Sequence, residues 1–154
     1  MVPLAALAMP RAVAHDLGLV APGTAANTAL TLGPMVVWVL VAVLLSRRPL
    51  ATLLAAGTGY GVLLGLMHNL AWSTAWGGDP PRLGGSLAGA WPPATEELLM
   101  RGATGLSSLA IGTVLGLVVG ALAWGIQELA RRYGVRLPLT TGASPARPWR
   151  APRR

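Results

Sequence analysis

The stretch Gly102–Gln127, GATGLSSLAIGTVLGLVVGALAWGIQ, contains no charged side chain. On a helix rising ~1.5 Å per residue, its apolar part from Leu106 to Ile126 is about 30 Å long, the thickness of a bilayer's hydrocarbon core. Gly112, Gly116 and Gly120 recur at every fourth position, so a helix carries them along one edge. Without side chains that edge is a flat groove into which another helix can settle closely. Gly57, Gly61 and Gly65 repeat the same spacing earlier in the chain. Two spans with matching small-residue edges predict an all-α, polytopic transmembrane bundle held by glycine packing.

Composition agrees. Of 154 residues, 53% are hydrophobic and 11% charged, too few charges to cover a soluble domain of this length. There is no cysteine, which removes disulfides, thiolate metal sites and thiol nucleophiles. The net charge of +7 comes from 12 basic residues, all arginine, set against 5 acidic ones. No stripe of arginine interleaved with aromatics lies on a foldable element, so nucleic acid is not an expected partner.

Outward from the decisive stretch, the chain reads in order as follows. Leu4–Leu17 suits a short helix of ~21 Å that ends at Gly18, either half inserted or the stub of a longer span. A first full span covers about 29–45 and contains Pro34. Ser46-Arg47-Arg48-Pro49 ends it, and so short a connection makes the next span, about 50–72, its antiparallel neighbour. Trp72 and Trp76 then read as an aromatic belt at headgroup level. The Gly/Pro-rich loop 77–95 leads to Pro92-Pro93, which opens the helix that becomes the third span, about 105–127. Residues 1–137 thus form the transmembrane domain, and the Arg/Pro-rich tail 138–154 is expected to be disordered.

Arginines sort by side. Arg47, Arg48 and those following Glu128 share one side, whereas Arg11, Arg82 and Arg101 fall on the other. The positive-inside rule places the first group in the cytoplasm, with the amino terminus and loop outside. A cell membrane, as in a bacterial inner membrane, is the expected location.

Candidate chemistry is sparse. Glu96-Glu97-Leu98-Leu99-Met100-Arg101-Gly102 resembles the first motif of the CPBP family, the CAAX-protease or Abi-type intramembrane proteases. That resemblance implies a glutamate that activates water, completed by histidines in later Phe-x-x-x-His and His-x-x-x-Asn motifs. This chain has no Phe and no histidine after His68, so both later motifs are absent. Read from the residues alone, Glu97 and Arg101 form an i, i+4 pair worth ~0.3–0.5 kcal/mol.

His15, Asp16, His68, Asp79, Glu96 and Glu97 all fall at or beyond the outer interface. His15, His68, Glu96 and Glu97 are the candidate ligands should a divalent cation be held there. Ser107, Ser108 and Thr113 make a polar strip, expected to bond within its own helix or to a neighbour.

No complete catalytic set emerges, and no cofactor is implied. Beyond the heptad, the pattern looks like that of many small bacterial membrane proteins. The leading expectation is a non-enzymatic membrane subunit, accessory to another membrane protein or self-associating. An outer-face cation site is the alternative, and a degenerate CPBP relative the second. A carrier role is set aside because no ionisable group lies between Leu50 and Gly65 or between Leu106 and Trp124.

Overall fold

The computed structural model describes residues 2–138. It is an all-helical bundle: α1 (Val2–Leu7), α2 (Met9–Asp16), α3 (Ala25–Leu45), α4 (Pro49–Leu70), α5 (Trp72–Trp76) and α6 (Pro93–Arg132). No strand occurs among the described residues. Three helices, α3, α4 and α6, are long and apolar enough to cross a membrane. The expected disorder of the tail, 138–154, lies outside the described residues but for Pro138.

The core is the antiparallel pair α4–α6, and glycine decides it. A Cβ added at Gly61 would sit 2.7 Å from the Ser108 carbonyl oxygen, and one at Gly112 would sit 2.5 Å from Gly61 Cα. Cβ atoms at Gly57 and Gly116 would collide with backbone of the opposite helix just as closely. The edges loosen toward their ends, where a Cβ at Gly65 or Gly120 would meet its nearest neighbour at 3.3 Å or 3.1 Å. Both glycine edges are therefore spent on each other, and the axes approach as only unsubstituted backbones allow. Ser108 is buried in this seam, and Thr58 and Thr113 share a hydroxyl contact of 3.3 Å across it. Thr113 also donates to the Leu109 carbonyl one turn back. Ser107, on the exposed side, bonds the Thr104 carbonyl.

The third helix packs at one end. Thr24 caps its start, the hydroxyl accepting from the Asn27 N–H at 3.2 Å. At its finish, Gln127 of α6 donates to the carbonyls of Ala42, Val43 and Ser46. The Ala42 carbonyl already accepts from the Ser46 N–H, whereas those of Val43 and Ser46 lie at the helix end where no further turn follows to bond them. The Ser46–Arg48 turn is fastened by a 2.7 Å contact between the Ser46 and Thr52 hydroxyls. Trp38 and Tyr60 meet edge to face at 6.2 Å. Of the three long helices, α3 is the least buried.

At the amino terminus the expected single helix is two. Pro10, in the first turn of α2, has no N–H for the preceding turn, and the break falls at Ala8. Gly18 takes the left-handed φ of 67° expected of it, and Leu19 N–H closes on the Ala14 carbonyl. Ala5 lies against Gly59, and the Trp38 indole donates to the Leu4 carbonyl at 2.7 Å. Gly59 stands near the middle of α4. The pair α1–α2 thus begins at mid-depth and climbs α4 to its Leu70 end.

The second span also ends differently. A break at Ala71 separates α4 from α5, so Trp72 is not a headgroup-facing ring. It is buried, whereas Trp76 is half exposed. The expectation of a two-residue aromatic belt is corrected: burying Trp72 against Arg101 outweighs its interfacial preference.

Candidate functional site

The polar groups of interest gather where α2, α4, α5 and the first turns of α6 meet, here named the loop end. Asp16 is the last residue of α2, and its side chain is 5% exposed. Its Oδ2 lies 2.7 Å from Nδ1 of His68, in the final turn of α4, and its Oδ1 lies 3.4 Å from Nδ1 of His15. A carboxylate on Nδ1 fixes the ring's orientation and tautomer and leaves Nε2 as the other functional nitrogen. His15, Asp16, His68, Trp72, Trp76 and Thr104 line a cavity of about 310 Å³.

The expected cation ligands do not converge. Glu97 is turned to Arg101, with Oε1 accepting from Nε at 2.8 Å. Glu96 accepts a hydrogen bond from the Leu83 N–H and pins the Gly/Pro loop to α6. Asp79 is exposed in that loop. Among the described residues no three His, Asp or Glu side chains are placed to hold a metal ion. His15 and His68 share Asp16 as a partner, while Glu96 and Glu97 belong to a second group built around α6.

Arg101 is more than one half of the expected helix-surface pair. Its Nη1 donates to the Asn69 carbonyl at 2.9 Å, and its guanidinium carbon is 5.0 Å from the Trp72 ring centroid. Asn69 Nδ2 returns bonds to the carbonyls of Gly65 and Arg101. The Asn69 carbonyl, in the last turn of α4, is thus satisfied from α6, and a cation sits where the helix dipole favours one. The CPBP-like heptad serves here as a clasp between two helices. Glu97 has that clasp as its neighbour, and the nearest histidine cluster is occupied with Asp16.

Two residues matter beyond those the sequence singles out, Asn69 as a clasp and Arg11 as a half-buried cation. Arg11, which the arginine count groups with Arg82 and Arg101, lines a second cavity, of about 230 Å³, together with Thr31, Pro34, Trp38, Tyr60 and Ile111. The signal was present: Arg11 is the one charge in the apolar run that precedes His15. Its depth follows only from how α1–α2 packs.

No family model, no curated protein and no solved structure matches the chain. The likeness to the CPBP family stays confined to the heptad.

Proposed function

We propose that this chain is a small integral membrane protein of the cell membrane that works without catalytic machinery, as an accessory or self-associating subunit. One observation carries the reading: the carboxylates at the loop end hold the protein together. Asp16 joins α2 to α4, Glu97 holds Arg101 in the α4–α6 clasp, and Glu96 fastens the loop. A general base or metal ligand needs lone pairs free for substrate or ion, and here both oxygens of Asp16 and one oxygen each of Glu96 and Glu97 face protein groups.

Association would use α3. Both glycine edges are consumed inside the monomer, whereas Leu32, Val36 and Leu40 lie exposed along one stripe of α3. The experiment is photocrosslinking in intact cells from a reactive amino acid placed singly along α3. Protein adducts recurring every third or fourth position, with a second copy or with one partner, are the expected result. Lipid adducts at every position would overturn the subunit reading.

The cation alternative has its own outcome. Zinc added to the purified protein should leave its melting temperature unchanged. Stabilisation by zinc that disappears in His68→Gln would replace the proposal with a metal site at Asp16.

A further inference from the structure

A charged side chain such as a guanidinium is expensive to place inside a bilayer, and one that stays there points to a functional site. Tyr60 is ~16 Å along α4 from Pro49 and ~15 Å from Leu70, at the centre of a spanning helix. Arg11 stands beside the Tyr60 hydroxyl, so α2 carries its charge to mid-depth. The spans themselves hold no charged side chain there. The half-inserted segment supplies the one that a carrier or binding role needs.

This cation has no carboxylate of its own. Among the described residues no ion pair includes Arg11, and its Nε is buried without a hydrogen-bond partner. Asp16, the acid nearest in sequence, is turned to the two histidines. Around the guanidinium the walls are mostly apolar, from Leu30, Pro34 and Met35 of α3 and Ile111 and Leu115 of α6. Pro34 has no N–H to give the Leu30 carbonyl, so a few polar groups converge on an otherwise oily cavity.

The mouth is lateral. Ile111 is 59% exposed on the perimeter of the bundle, and the bonds from α6 that hold α3 lie at the opposite end, at Gln127. A cavity with a half-buried cation at its head, apolar walls and an opening between two lipid-facing helices fits one chemistry. We infer that the Arg11 cavity binds an anionic amphiphile, its carboxylate or phosphate on the guanidinium and its alkyl chain leaving between α3 and α6. A bidentate oxyanion satisfies Arg11 in a geometry that water or a halide does not reproduce. The inference rests on membrane insertion and is independent of the subunit role.

The test uses the intrinsic fluorescence of Trp38, which lines the cavity, in the full chain in non-ionic detergent. Brominated chains quench tryptophan on contact, and the probes are dibromostearate, its methyl ester, dibrominated phosphatidylglycerol and dibrominated phosphatidylcholine. Saturable quenching by an anionic probe and none by the ester or the choline lipid is expected. Dibromostearate alone would identify a free single-chain acid, and phosphatidylglycerol would identify a lipid headgroup. Arg11→Gln should weaken the anionic probe about tenfold or more, and Arg11→Lys less. Trp38→Phe should remove most of the quenched signal. Equal quenching by acid and ester, absence of saturable quenching, or unchanged affinity in a folded Arg11→Gln would overturn the inference. The acid–ester comparison needs no substitution, so a misfolded variant leaves it intact. Retention of the protein in membranes through alkaline carbonate extraction checks the insertion on which the inference depends.

Discussion

Gln127 and Asp16 show how single polar side chains hold this bundle. Each links elements far apart in sequence, Gln127 by bonding carbonyls at the end of α3 and Asp16 by meeting the imidazole of His68. Gln127 is 5% exposed, and replacing it with Leu keeps its bulk while stranding the carbonyls at the end of α3. A cost of about 1–3 kcal/mol is expected, seen as a lower melting temperature in detergent. A melting curve unchanged in Gln127→Leu would show that water replaces the cap at no cost. Asp16→Asn should release α2 from His68. Proteolysis at the amino-terminal segment should accelerate while the α4–α6 pair melts as before. Of these bonds the sequence disclosed only the local ones. Glu97 with Arg101, four residues apart, was legible because helix geometry alone brings them together. Arg101 with Asn69 was not, because it depends on where another helix stops.

At the level of elements, the α4–α6 seam is the part most fully written in the chain. Both edges face one another as expected, and the opposing backbones leave no room for a methyl group at Gly57, Gly61, Gly112 or Gly116. Alanine is therefore already too large at these positions. Gly61→Ala and Gly112→Ala should each lower stability by several times more than Gly65→Ala, whose Cβ would meet its nearest neighbour at 3.3 Å. The double change Gly61→Ala/Gly112→Ala should cost less than the sum of the two, since both separate one interface. Unfolding in mixed detergent measures this. Additive losses would place the two glycines in different contacts. The amino-terminal segment is the opposite case. Its helicity was legible, but its insertion to mid-depth was not, because the groups that receive it, Gly59 and Trp38, belong to other helices.

For the whole molecule, orientation is the expected property that turns geometry into biology. By the positive-inside rule, the nine arginines lead to the expectation that the loop end faces out and the tail in. Single cysteines at Gly85 and Ala143 test this by labelling of intact cells with an impermeant thiol reagent. Labelling at Gly85 alone is expected, and labelling at Ala143 alone would invert the molecule. Under this orientation the His15–Asp16–His68 cavity opens to the exterior, and the Arg11 cavity opens to the membrane.

Hydropathy and helical periodicity are properties of a chain read locally, and they were enough for three spans, their order and the glycine edges. Backbone hydrogen bonds must close within each segment in lipid, so an apolar run has little choice but helix. Depth and partnership are different in kind. Whether a charge such as Arg11 lies in water or at the bilayer centre depends on which surfaces the helix beside it covers. Whether Asp16 or Glu97 is free for chemistry depends on which donors arrive from elsewhere in the chain. Those are distances between segments, set by packing the whole bundle, and only the tertiary structure decided them.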